Sequence, residues 1–163
     1  MINLKTGEFK LDECKLVIHP DLTLSAFKAG DIPFQEGYSS PEGTVWFHFK
    51  GRLETLEAQF SILFDKQTFF ILNVYFDEKY NLGAGDKIEA WLTKITREPL
   101  PFEYEWGCLF TDIDGKSNSD FSVATKYSIL DKGKRTYPRY DDLKSFYAFL
   151  HSKEKLRRQI YGE

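Results

Sequence analysis

The sequence predicts an α+β fold: a largely antiparallel, twisted sheet built from hairpins and covered by about two amphipathic helices. Three observations predict it. Short alternating runs of β-branched and aromatic residues fill the middle of the chain. Two later segments repeat apolar residues at i, i+3, i+4 and i+7. Clusters of Gly, Pro, Asn and Asp separate these runs where turns are needed. The chain has 163 residues, a length that one core serves, and it shows no repeat or Pro/Ser-rich linker, so residues 1–163 read as a single domain. With 15 Phe, 9 Tyr and 3 Trp, that core is expected to be strongly aromatic.

Taken in order, EFKL at 8–11, KLVIH at 15–19 and LSAF at 24–27 read as short strands. GDIPFQEGYSSPEG at 30–43 holds three Gly and two Pro and reads as a long irregular loop, a kind of segment that often serves binding. TVWFHF at 44–49, EAQFSILF at 57–64 and TFFILNVYF at 68–76 are the clearest strands. Ala58, Phe60, Ile62 and Phe64 alternate with Glu57, Gln59 and Ser61 before Asp65-Lys66-Gln67 turns the chain. Apolar residues in both phases of 68–76 make that strand a central one, covered on both faces.

Asp86 with Glu89 three residues later is a capping-box-like start, and Ile88, Trp91, Leu92 and Ile95 form the stripe of a helix ending near Arg97. After Pro138 and the Asp141/Asp142 cap, Leu143, Phe146, Tyr147 and Leu150 predict a second helix. Between the helices, EYEWGCLF and DFSVATKY alternate as the arms of a hairpin with DIDGKSNSD, residues 112–120, at its tip.

That tip resembles a calcium loop but fails as one. An EF-hand needs Gly at its sixth position, an acid at its twelfth and flanking helices; here Gly115 is fourth from Asp112 and strands flank it. Asp, Gly, Asn and Ser are what a hairpin turn requires. His19, His48 and His151 form no ligand spacing, so no metal or cofactor is expected. Cys14 and Cys108 read as reduced thiols, and neither stands in an activating context. Gly83-Ala84-Gly85-Asp86 before a helix would suit an anion, except that Asp86 would repel it. Glu103 and Glu105, at period-2 spacing, would share the outer face of a strand and are read as surface acids rather than a catalytic pair.

Residues 1–131 carry 13 Lys and Arg against 21 Asp and Glu, a balance of −8, while residues 132–163 carry 9 against 4, or +5. An acidic body argues against general nucleic-acid binding. The basic end, with Lys153 to Arg158 in the tail 152–163, reads as a solvated face, and a nucleic-acid contact there is the lesser alternative. No apolar run reaches the roughly 18 residues of a membrane span. The opening MINLKTGEFKLDE lacks the basic-then-apolar pattern of an export signal, so the expectation is cytoplasmic.

The layout of KTGEFKL, HPDLTLSAF, an aromatic hairpin, a Trp-bearing helix and a hairpin running from Trp106-Gly107 to Asp114 and Ser117 resembles small bacterial immunity proteins of contact-dependent inhibition and polymorphic toxin systems. The similarity spans about residues 5–128 and carries over no individual contact residue. It implies a non-enzymatic protein that binds a cognate basic toxin domain, often a nuclease, and blocks it. Glu103, Glu105, Asp112, Asp114 and Asp120 are the expected partner-facing acids. The alternative is a small-ligand-binding domain or enzyme with an aromatic pocket beneath residues 30–43, lined by Trp46, Phe49 or Trp91.

Overall fold

The computed structural model describes residues 1–76, 85–97, 102–110 and 120–127. A small antiparallel sheet comes first: β1 (Ile2–Asn3), β2 (Glu8–Lys10) and β3 (Val17–Ile18), in that order. After helix α1 (Leu24–Ala29) follow β4 (Gln35–Ser39), β5 (Thr44–Leu53), β6 (Leu56–Asp65) and β7 (Thr68–Phe76). Helix α2 (Gly85–Thr96) precedes β8 (Phe102–Tyr104), β9 (Gly107–Phe110) and β10 (Phe121–Thr125). Among the described residues the main sheet has seven strands, order β4-β5-β6-β7-β10-β9-β8, and its neighbours pair antiparallel. The chain is therefore α+β, mostly sheet.

The alternation expected in residues 57–64 sets the register. Phe47, Ile62, Leu72, Val123 and Leu109 stand opposite one another across five strands, and all are buried on one face. Onto this face packs α1, whose Phe27 ring lies 5.4–5.8 Å from those of Phe47, Phe49 and Phe64. Such tilted ring pairs add to the burial energy of their large apolar area. Helix α2 covers the other end of the face: Ile88 and Leu92 are buried, and Trp91 sits edge-on to Phe76 at 5.0 Å. That helix is the one its apolar stripe predicts.

Strand β7 is the central strand, as its two-phase apolar pattern implies. Leu63 pairs with Ile71 but Phe64 with Phe69, so Phe70 is an extra residue on β7 and the phase flips there. The bulge lets Phe69 join Leu72 and Val74 on the core face.

Three expectations need correction. Residues 24–27 are not a strand but the start of α1. Thr23 caps it, its hydroxyl accepting from Ala26 N at 3.2 Å, and Gln67 Oε1 accepts from both Ser25 N and Ser25 Oγ. Residues 30–43 are not irregular throughout, because β4 runs through them as the edge strand beside β5. EYEWGCLF is not one strand. Tyr104 pairs with Gly107, so Glu105 and Trp106 form a two-residue turn and β8 folds back on β9 as a hairpin of its own. Gly107, at φ +148°, permits this: a Cβ there would run into the Ala124 carbonyl. The predicted β9–β10 pairing is present. The expected helix at 143–150 and the basic tail 152–163 lie outside the described residues. Among the described residues, no helix is long and apolar enough to cross a membrane.

Candidate functional site

Of the five acids singled out from sequence, Glu105 and Asp120 are described in full, and these two stand apart. Glu103 belongs to β8, the end strand of the sheet. Glu105 is exposed in the β8–β9 turn, so the two do not share a strand face by alternation. Asp120 opens β10 at the opposite end of the β9–β10 hairpin, about 15 Å along the strands from the Glu105 turn at 3.3 Å per residue. Its carboxylate is half-buried, and Oδ2 accepts from Phe76 N at 2.7 Å. Burial pushes this carboxyl above the usual carboxylate range, against the pull of that hydrogen bond. Asp112 and Asp114 lie outside the described residues.

The aromatic residues proposed to line a pocket are also dispersed. Phe49 is buried on the core face, stacked on Phe60 at 5.1 Å. Trp46 points to the second face of the same strand, its register partner being Leu63. Trp91 is on α2. The histidine His151 lies outside the described residues. Cys14 and Cys108 are not joined in a disulfide. Burial, and then the negative charges of Asp31 and Glu13, push the Cys14 thiol up, the reverse of nucleophile activation.

The organised polar feature lies on the second face of the main sheet. Along it, one cross-strand row is apolar and buried: Leu63, Ile71, Ala124 and Cys108. The next row is polar through five strands, with Gln35, His48, Ser61, Asn73 and Ser122 in consecutive register. His48 Nδ1 and Ser61 Oγ are hydrogen-bonded at 2.8 Å, and Ser122 Oγ donates to Asn73 Oδ1 at 2.7 Å. Gly37 on β4 is needed beside this row, since a Cβ there would land on the His48 ring. Two residues along, Lys50, Gln59 and Tyr75 are register partners of one another.

Between these two rows runs a trough of about 370 Å³, lined by Gln35, His48, Lys50, Gln59, Ser61 and Tyr75 among others. A second hollow of about 320 Å³ continues it along the β5–β6 hairpin, sharing Lys50 and Gln59. Sequence reading saw Gln59 and Ser61 only as the polar phase of a strand. The available signal was one polar residue interrupting each apolar run; the register that aligns them is a tertiary property.

At the sheet edge, β4 leaves Tyr38 70% and Phe34 37% exposed, and Glu36 pairs with Lys28 at 3.6 Å. Among the described residues, strand β4 pairs with β5 on one side only and stands at the end of the sheet order. No protein-family model, curated protein or solved structure matches the chain.

Proposed function

We propose that this chain is a non-catalytic, cytoplasmic binding protein of the immunity type, which holds and neutralises a basic toxin domain, a nuclease being the leading class. The observation that carries the reading is Tyr38, 70% exposed on β4, the edge strand of the sheet among the described residues, with Phe34 just before it. An edge strand offers unpaired backbone groups for β-addition, and an exposed Tyr is a side chain on which interface energy concentrates. The −8 balance of residues 1–131 supports a basic partner, because a nuclease must hold phosphates. Glu103, Glu105, Asp112 and Asp114 are proposed to steer the encounter. Asp120, whose carboxylate is engaged by Phe76 N, is the weakest member of that set.

The test is co-expression of the tagged chain with the protein encoded directly upstream, read by co-purification and by growth. A stoichiometric complex that rescues growth supports the reading, and Tyr38→Ala should then weaken it about 30-fold or more. A toxic neighbour that neither binds nor is neutralised sinks it. A complex indifferent to both Tyr38→Ala and Glu105→Lys sinks the choice of surfaces.

A further inference from the structure

We propose that the trough on the second face of the main sheet is a binding site for a nucleoside monophosphate, with Lys50 on the phosphate, the Gln35 and Gln59 carboxamides on the base edge and the Tyr75 ring as the stacking surface. The inference is independent of the toxin-partner reading.

Charge comes first. Among the described residues no Asp or Glu lines the trough, although the chain as a whole is acidic; the nearest carboxylate along the same face is Glu57, in the hollow that continues it beside Arg52. Lys50 makes no ion pair among the described residues, whereas the next cation on the same face, Arg52, is engaged by Glu13 at 3.7 Å and by the Thr55 carbonyl at 3.3 Å. Among the described residues Lys50 is thus a cation available to an anionic ligand, as a compact point charge that suits phosphate.

The neutral groups narrow the class further. Each carboxamide presents a donor and an acceptor side by side, which matches the edge of a nucleobase. Tyr75 is half-buried as the register partner of Gln59, so its ring lies beside that amide on the same sheet face. The lining runs from β4 to β7, three strand spacings or about 14 Å at 4.8 Å each. Its volume of about 370 Å³ is at the small end for ligand sites, enough for a mononucleotide and short of a dinucleotide cofactor. On one wall, buried Ser61 hydrogen-bonds the His48 ring and orients it.

The test is an amide-resolved NMR titration of the full chain with AMP and UMP, and with adenosine and inorganic phosphate as separate arms. The expected result is that at least one nucleotide shifts the amides around Lys50, Gln59 and Tyr75, with adenosine and phosphate each binding at least about tenfold more weakly. Lys50→Gln, an exposed substitution, should weaken nucleotide binding about tenfold, as loss of a charged hydrogen bond does. Gln59→Ala should weaken the nucleotide while leaving phosphate binding unchanged. The proposal is overturned if neither nucleotide shifts these amides, if the shifts fall on other strands, if Lys50→Gln binds as wild type, or if phosphate binds as tightly as the nucleotides.

Discussion

The indole N–H of Trp106 donates to the carbonyl of Leu4 at 2.6 Å, joining positions 102 residues apart. Trp106 is 7% exposed, stacked on Tyr104 at 5.9 Å, and close enough to Gly7 that a Cβ on that glycine would strike the indole. The bond ties the small N-terminal sheet to the β8–β9 turn. Trp106→Phe keeps a ring but leaves the Leu4 carbonyl without that donor, a loss of about 1–3 kcal/mol. Urea unfolding of the variant should show the midpoint fall at an unchanged m-value.

Gly107 should tolerate less. Its φ of +148° and the Ala124 carbonyl directly where a Cβ would go mean that Gly107→Ala must strain the backbone and push β9 from β10. A cost of roughly 3 kcal/mol or more is expected. Wild-type stability for this variant would show that the turn geometry is wrong.

The β5–β6 hairpin carries its strain in the open. Glu54 and Thr55 both adopt positive φ, 52° and 72°, in the two-residue turn between Leu53 and Leu56, where Asn-Gly is the usual solution. External partners hold it: Asp12 Oδ2 accepts from Thr55 N at 2.9 Å and Glu54 Oε1 accepts from Ile2 N at 3.0 Å. Thr55→Gly should stabilise the protein by about 1 kcal/mol by relieving left-handed strain. Asp12→Ala should destabilise it by about 1 kcal/mol, since Thr55 N loses its acceptor. Thermal or denaturant unfolding of both variants measures the opposite signs.

Two aspartates should respond to pH in opposite directions. The backbone N–H groups of Leu16 and Lys15 hold the Asp31 carboxyl below the usual range, so its contribution is present above the unfolded-state pKa and is lost as pH falls through the lower folded value. Burial holds Asp120 above the usual range, so its ionisation costs stability as pH rises from the unfolded value through the higher folded one. Asp31→Asn should therefore be destabilised near pH 7 and converge with wild type in acid. Asp120→Asn, which can still accept from Phe76 N, should gain near neutrality and lose that gain in acid. Unfolding free energies from pH 3 to 7 discriminate, and parallel curves for both variants would contradict the assignment.

The sequence disclosed those parts of the fold whose cause is local. Residues 57–64 alternate strongly enough to set strand and face, the apolar residues in both phases of 68–76 mark the central strand, and the stripe Ile88, Trp91, Leu92, Ile95 sufficed for α2. Helix α1 escaped notice because its six residues are too few to show a period, and part of its start is held by Gln67, some 40 positions away. Strand β4 escaped because QEGYS is polar on both faces; it is a strand by virtue of β5 beside it. The row from Gln35 to Ser122 was illegible for a related reason. Each member is an ordinary polar residue in its own segment, and only the register set between strands brings them side by side.

Strand β10 lies between β7 and β9, although it is the last of the described strands to be made. A ribosome delivering this chain releases β4 to β7 while the flank of β7 at Ile71–Val74 still lacks its neighbour, residues 121–124. That flank is apolar and central, so the nascent protein carries a sticky seam through much of its synthesis. The sheet is closed by an insertion rather than by an addition at its rim, and a chain cut short ahead of Phe121 leaves that seam permanently open to chaperones or to other copies of itself.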